Sequence, residues 1–346
     1  MAKVFLILLG VIFSFIVKAQ DVELLGEIRD SIVWNANKMV SSSGDNQKLF
    51  YSDRIELLVD SFIKQENSID FNMDSLQYVN VLSSDDQNIR IFTWLVPLSG
   101  KVYGYRGYVQ TYSKRKKTYQ SFRLVDKSAR MSGVMSKTLN PKKWYGAYYY
   151  KLISTKRGSK TFYTLIGWKG IDKTIQSKVI EVIYLRSDGL VSFGYNLFKI
   201  KGFEYFGRIN SPKRLVFKYS SMASMHLDYD YQTIVIKKKE KSSRKKRKRR
   251  KKKRNVGFKA QSKTEKLETK KTYIKDDMIV MDRIIPTSQE LKGFYDFYYP
   301  EKNIVDALRY DGRVWVYYPD IDARNKPAEI KSEEKIIEYD LYPPNE

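Results

Sequence analysis

The chain has 346 residues, with 64 Lys or Arg against 39 Asp or Glu, and a formal net charge of +25 at neutral pH. It has no cysteine and one histidine, which excludes a disulfide framework, a thiolate metal site, a cysteine nucleophile and a two-histidine metal site. Residues 20–95 carry 13 acidic and 6 basic side chains and residues 320–346 carry 8 and 4, so the positive excess lies in the middle; a basic centre favours anionic partners.

The opening stretch "MAKVFLILLGVIFSFIVKAQ" reads as a signal peptide over residues 1–19. Lys3 supplies the positive start, Val4 to Val17 form the apolar run, and the small residues Val17 and Ala19 predict cleavage between Ala19 and Gln20. The apolar run of 14 residues rises only about 21 Å as a helix, short of the ~30 Å of a hydrocarbon core. A removed leader is therefore preferred to a retained anchor. An exported chain without cysteine suits a Gram-negative envelope, periplasmic or secreted, better than a eukaryotic secretory route.

Residues 20–75 are expected to form a helical hairpin. In "DVELLGEIRDSIVWNANKM" the helical period gathers Leu24, Leu25, Ile28, Ile32 and Met39, with Asp21 as N-cap. In "SDRIELLVDSFIKQ" it gathers Ile55, Leu58, Val59 and Phe62, with Ser52 as cap.

From residue 76 onward short β-rich runs recur, separated by turns: "QYVNVLSSDDQNIRIFTWLVPL", "KVYGYRGYVQTYSKRKKTYQSFRLVD", "YYYKLISTKRGSKTFYTLIGW". Asp188-Gly189 and Asp311-Gly312 each stand between two such runs and signal hairpins, because a type I′ turn needs positive φ at both central positions and Asp-Gly supplies it at low cost. The expected fold is mainly β with an N-terminal helical segment (α+β). Residues 76–330 would form an antiparallel meander, sandwich- or propeller-like, ahead of an acidic tail at 331–346.

One stretch interrupts the pattern. In "KKKEKSSRKKRKRRKKKR" (237–254), 15 of the 18 residues are basic. They are Lys237, Lys238, Lys239, Lys241, Arg244, Lys245, Lys246, Arg247, Lys248, Arg249, Arg250, Lys251, Lys252, Lys253 and Arg254. Strand-like "SMHLDYDYQTIVI" precedes it and "YIKDDMIVMDRII" follows. Residues 237–271 hold too few apolar groups to offset their ordering entropy, so a disordered insertion at a hairpin tip is expected. Such an insertion is tolerable, since each doubling of loop length costs only about 0.6 kcal/mol. The fifteen cations are the candidate polyanion site, for lipid phosphates, acidic polysaccharide or, non-specifically, nucleic acid.

The segments "SSDDQNIRIFTW", "YYYKLISTKRGSKTFYTLIGWKG", "RLVFKYSSMASMHLDYD" and "MIVMDRIIP" followed by "WVYYPDIDARN" resemble a family of exported Bacteroidetes proteins, across residues 50–325. The resemblance is structural in flavour and carries no activity with it. In that family a short turn joins the "YD" and "MIV" strands, so the resemblance implies that the basic stretch is an insertion. Lys169 in "GWKG" also departs from the family, where an acidic residue is usual.

Chemistry-bearing residues are few. In "MHLDYDY" the strand period puts His226, Asp228 and Asp230 on one face and Leu227, Tyr229 and Tyr231 on the other. His226, Asp228 and Asp230 are candidates for hydrolysis or cation binding, against the alternative of a solvated strand face; no "GxSxG" accompanies them. Asp228, Asp230, Asp276, Asp277 and Asp282 could supply a carboxylate pair for glycoside hydrolysis, which needs no histidine. The Tyr-rich "VYGYRGYVQTY" and "WYGAYYYK" offer Tyr103, Tyr105, Trp144, Tyr148 and Tyr150 as ligand-stacking candidates, with Gln110 and Arg106 nearby, or as ordinary cross-strand pairs. No cofactor or metal is expected.

The leading expectation is an exported, non-enzymatic envelope protein that binds anionic surfaces or ligands through its polycationic loop. A carboxylate-dependent carbohydrate hydrolase is the first alternative. A nucleic-acid-binding protein is the second, although no helix-turn-helix or finger accompanies the basic run.

Overall fold

The computed structural model describes residues 2–65, 67–73, 76–209, 211–239 and 269–321. The expected acidic tail at 331–346 and the basic positions from Lys241 to Arg254 lie outside the described residues. By contact density the chain divides into two units: residues 1–230 with 278–320, and residues 231–277 with 321–346.

In the first unit, α1 (Ala2–Ser41) and α2 (Asp45–Lys64) form the expected helical hairpin. α1 begins upstream of the expected start, so position 21 lies inside the helix and not at its N-terminus. α2 begins after Gly44 in extended geometry, which puts Ser52 in mid-helix and fully buried instead of at the cap. The buried stripe runs through Leu25, Ile28, Ile32 and Met39 of α1 and Ile55, Val59 and Phe62 of α2. Leu24, expected on that stripe, is 41% exposed. At 100° per residue it falls to one side of Leu25 and Ile28. Among the described residues no helix is long and apolar enough to cross a membrane.

Among the described residues fourteen strands follow. β1 (Val79–Ser83), β2 (Ile89–Leu98), β3 (Val102–Ser113) and β4 (Thr118–Val125) pair in chain order as an antiparallel sheet. The next strands are β5 (Tyr148–Arg157), β6 (Lys160–Gly170), β7 (Ile175–Leu185), β8 (Val191–Phe193), β9 (Phe198–Lys199) and β10 (Arg214–Ser220). Five of them make the second sheet, in the order β10-β7-β6-β5, with β8 pairing the last residues of β7. The third sheet contains β11 (Leu227–Lys239), β12 (Thr269–Pro286), β13 (Tyr298–Tyr310), β14 (Trp315–Tyr318) and then β9. None of the three sheets closes on itself.

Pairing among the described strands is antiparallel as expected, except that β9 joins β14 in parallel through Phe198 and Lys199; outside the strands an isolated Asp126–Trp144 bridge is parallel too. The two Asp-Gly hairpins form, with positive φ at Gly189 (82°) and Gly312 (89°) but not at Asp188 or Asp311, so neither is the type I′ turn expected.

The strand period decides how the layers stack within the first unit. Phe92, Trp94 and Val96 of β2 pack against the helices, whereas Ile89 and Ile91 join Trp144, Tyr149 and Leu165 in a second core. β6 repeats the division: Tyr163 and Leu165 face that second core, while Phe162 and Ile166 face a third one with Phe217, Met281, Leu308 and Trp315. Strands buried on both faces read as near-continuous apolar runs, as "IRIFTWLV" and "FYTLIGW" do.

Candidate functional site

His226 stands exposed just before β11. Its backbone is what the fold uses: the amide donates to Asp282 Oδ2 at 2.7 Å, and the carbonyl accepts from the Asp282 amide at 3.0 Å. Asp228 is half-buried with Oδ1 3.7 Å from Lys151 Nζ, and Asp230 is exposed. Leu227 is buried and Tyr229 meets Trp315 edge-on at 6.2 Å, so the expected alternation holds there. It fails at Tyr231, which is 56% exposed. β12 pairs with β13 over Met278–Pro286. Asp276 is half-buried and Asp277 exposed, both in the second unit. None of the five carboxylates, nor His226, lines the cleft described below. Among the described residues no group of three or more His, Asp or Glu is placed to hold a metal ion.

The stacking candidates are corrected by burial. Tyr105 is 4% exposed and Trp144 fully buried. Their polar ends are already engaged: Gly170 N donates to the Tyr105 hydroxyl at 2.7 Å, and Trp144 Nε1 donates to the Tyr149 hydroxyl at 2.9 Å. Tyr103 packs edge-on against Trp168 at 5.1 Å, Tyr148 is half-buried, and the Tyr150 hydroxyl donates to the Leu227 carbonyl at 2.7 Å. Gln110, too, is buried, with Nε2 3.2 Å from Ser68 Oγ. Alternation in a strand with cores on both faces turns every second tyrosine inward, whichever way it points.

What lies between these aromatic rings is a chain of buried charges that the sequence did not single out. Glu181 on β7 and Arg214 on β10 are cross-strand partners, both fully buried. Arg214 donates Nε and Nη2 to Glu181 Oε1, Tyr149 donates its hydroxyl to Glu181 Oε2, and Arg214 Nη1 donates to the Val134 carbonyl at 2.6 Å. Arg214 also sits 5.6 Å from the Tyr145 ring. Lys169 also lies near that ring, 5% exposed, its Nζ 5.4 Å from Tyr145, 4.1 Å from the Tyr105 ring and 3.3 Å from Asp126 Oδ2.

Burial pushes the Lys169 ammonium below its usual range, with Asp126 pulling back. The same burial raises the Tyr105, Tyr145 and Tyr149 hydroxyls and keeps them neutral near pH 7. Lys169 therefore occupies an aromatic box closed by a carboxylate. Such an enclosed, internally satisfied network holds strands in register; it presents no reacting group to a solute. The sequence signal was there in retrospect: charged residues inside apolar strands, as in "VIEVIYL" and "RLVFKY".

A cleft of about 450 Å³ opens between the 69–73 segment and β1–β2, with Asp70, Phe71, Asn72, Ser83, Asp85 and Arg90 among its lining. Arg90 is turned onto the protein itself: Nε donates to Ser83 Oγ at 3.0 Å, Nη1 to the Ser68 carbonyl at 2.6 Å and Nη2 to the Ile69 and Phe71 carbonyls. Asp70 Oδ1 accepts from Gln87 Nε2 at 3.3 Å. This guanidinium anchors the 68–71 backbone.

Of the fifteen basic candidates, Lys237, Lys238 and Lys239 end β11, and the other twelve lie outside the described residues. The strands on either side of residues 240–268, β11 and β12, are neighbours in one sheet.

Comparison of the chain with protein-family models, with curated proteins and with solved structures finds no match in any of the three.

Proposed function

We propose that the protein acts outside the cytoplasm as a non-catalytic binder of anionic surfaces or ligands, through the polycationic stretch 237–254. One observation carries the reading: β11 and β12 are adjacent strands, so the two ends of residues 240–268 are held side by side. Those 29 residues contain fifteen Lys or Arg against three Glu. Binding by such a stretch needs charge and not a pocket, because cations that meet phosphates release condensed counterions. With about eight cations engaged, the log–log salt slope on duplex DNA would be near −7. The apolar leader with its Val17-x-Ala19 end supports export to a Gram-negative envelope, and export selects lipid phosphate or acidic polysaccharide over chromosomal DNA.

The test compares the full-length chain with a full-length variant in which every cation from Lys241 to Arg254 is replaced by Gln. Retention on a heparin matrix is measured against salt concentration. The expected result is a large loss of salt-sensitive retention with the circular dichroism spectrum unchanged; equal retention of the two chains overturns the reading. Cell fractionation with N-terminal sequencing tests export. A start at Gln20 outside the cytoplasm is expected, and an intact leader on cytoplasmic protein refutes it.

A further inference from the structure

We propose that the folded body carries a second cationic surface, built by three hairpin turns of the first unit, that docks on the phosphates of a lipid bilayer. It shares no residue with the 237–254 stretch and goes beyond the reading given above.

The β3–β4 turn presents Lys114, Arg115, Lys116 and Lys117, all exposed. Arg115 N donates to the Ser187 carbonyl at 3.1 Å and Gln120 Nε2 to the Asp188 carbonyl at 2.7 Å, which fixes this turn against the β7–β8 turn. Exposed Arg186 lies on that second turn. Lys160, at the start of β6, holds its Nζ 5.7 Å from the ring of Tyr184, the β7 partner of Phe162. The β5–β6 turn adds Lys156 and Arg157, and the Tyr310 hydroxyl pins it by donating to the Lys156 carbonyl at 2.9 Å. Eight cations thus share one end of the second sheet and its neighbour, and among the described residues only Arg186 has an ion-pair partner, Asp188 at 3.0 Å. The adjoining β1–β2 turn contributes Asp85 and Asp86, of which Asp86 is held by the Ser84 and Tyr163 hydroxyls at 2.7 and 2.9 Å. The balance remains strongly positive.

The geometry selects a lipid surface over a nucleic acid. The cations sit on reverse turns, and none of them lines the cleft beside Arg90. The rings at this end are engaged with each other, Tyr112 with Tyr119 at 5.2 Å and Tyr184 with Phe162 at 5.4 Å, which leaves no free platform for bases. Leu190, 41% exposed beside the β7–β8 turn, offers an apolar side chain to the headgroup region. Near an anionic bilayer each Lys or Arg strengthens binding roughly fivefold, and salt weakens it.

The probe is a phosphatidylcholine vesicle with or without phosphatidylglycerol, and binding is read by co-sedimentation of full-length chains. The loop-neutralised variant carries Gln at the cations from Lys241 to Arg254. A turn-neutralised variant adds Lys114→Gln, Lys116→Gln and Lys117→Asn, the Asn because Lys117 has φ 56°. The loop-neutralised chain is expected to bind phosphatidylglycerol vesicles and not neutral ones, and the added turn changes to weaken it on the order of 100-fold. If the turn changes disturb the circular dichroism spectrum, Lys156→Gln with Lys160→Gln gives the same readout from another hairpin. Binding by the unaltered chain but not by the loop-neutralised one overturns this surface and leaves the loop reading standing. Turn changes without effect overturn it too, as does a loop-neutralised chain that binds duplex DNA as tightly as vesicles at the same salt.

Discussion

Arg214 and Glu181 face each other directly across β10 and β7, both with no exposed side-chain surface. The pair is completed by the Tyr149 hydroxyl on Glu181 and by the Val134 carbonyl on Arg214, so each charge meets more than one partner. Removing one member leaves the other charged and dry. Arg214→Met or Glu181→Gln alone is expected to lower stability by roughly 3–5 kcal/mol, whereas Arg214→Met with Glu181→Leu should cost far less, since a well-packed apolar replacement avoids the desolvation penalty. Urea unfolding of the three variants checks it; equal losses for the single and double changes would falsify the account.

A smaller buried bond joins the helical layer to the first sheet. Trp94 Nε1 donates to Ser52 Oγ at 2.9 Å, with both residues fully buried. Ser52→Ala strands the indole N–H without an acceptor, at a cost of about 1–3 kcal/mol. Urea midpoints for Ser52→Ala and Ser61→Ala separate this from helix propensity, because Ser61 is an exposed position on the same helix. A loss at Ser61 as large as that at Ser52 would show that the bond to Trp94 contributes nothing.

The two successes and the main failures of sequence reading share one cause, the range over which the deciding contact acts. Asp188-Gly189 and Asp311-Gly312 were legible because a tight turn is settled by its own two residues. The buried stripe of Ile55, Val59 and Phe62 was legible because helical period is local. Ser52 was misread as a cap because its real partner, Trp94, is 42 residues away. Whether Tyr105 faces a ligand or the core stays open in the sequence, because a strand covered on both sides gives tyrosine the same pattern as a strand with a solvent face; burial decides for the core. Glu181 and Arg214 were passed over because their meeting depends on β10 pairing back onto β7, and nothing within either strand announces that register. The parallel partnership of β9 with β14 rests on Phe198 and Lys199, too short a segment to carry a period.

Gly189 and Gly312 make a matched pair for testing the turns. Both need positive φ, at 82° and 89°. A Cβ at Gly312 would meet nothing within 4 Å, whereas one at Gly189 would lie 2.9 Å from Ser113 Cβ and 2.6 Å from Gln120 Nε2. Gly312→Ala is therefore expected to cost about 1–2 kcal/mol for backbone conformation alone. Gly189→Ala should cost distinctly more, because it also pushes the β7–β8 turn off β3, where the Thr111 hydroxyl donates to the Gly189 carbonyl at 2.6 Å. Thermal denaturation of the two variants decides it, and equal melting temperatures would mean that the turn does not press on β3.

The half-buried Lys178 gives a pH dependence of definite sign. Its Nζ lies 3.2 Å from the Tyr150 hydroxyl and 4.6 Å from that ring, and burial pushes its ammonium from the ordinary 10.5 down to about 8, with the Asp228 carboxylate opposing. Between those two values the unfolded chain holds a proton that the folded chain has released, so stability rises as pH increases from 8 toward 10.5. Tyr150 works in the opposite direction: burial raises its hydroxyl well above 10, so above pH 10 the unfolded chain loses that proton first and stability falls. The melting temperature should therefore climb from pH 8 and turn over near pH 10. Lys178→Met should reduce the climb to the part that buried Lys169 contributes and keep the fall, whereas Tyr150→Phe should preserve the climb and soften the fall. An unaltered climb in Lys178→Met would assign the effect to another group.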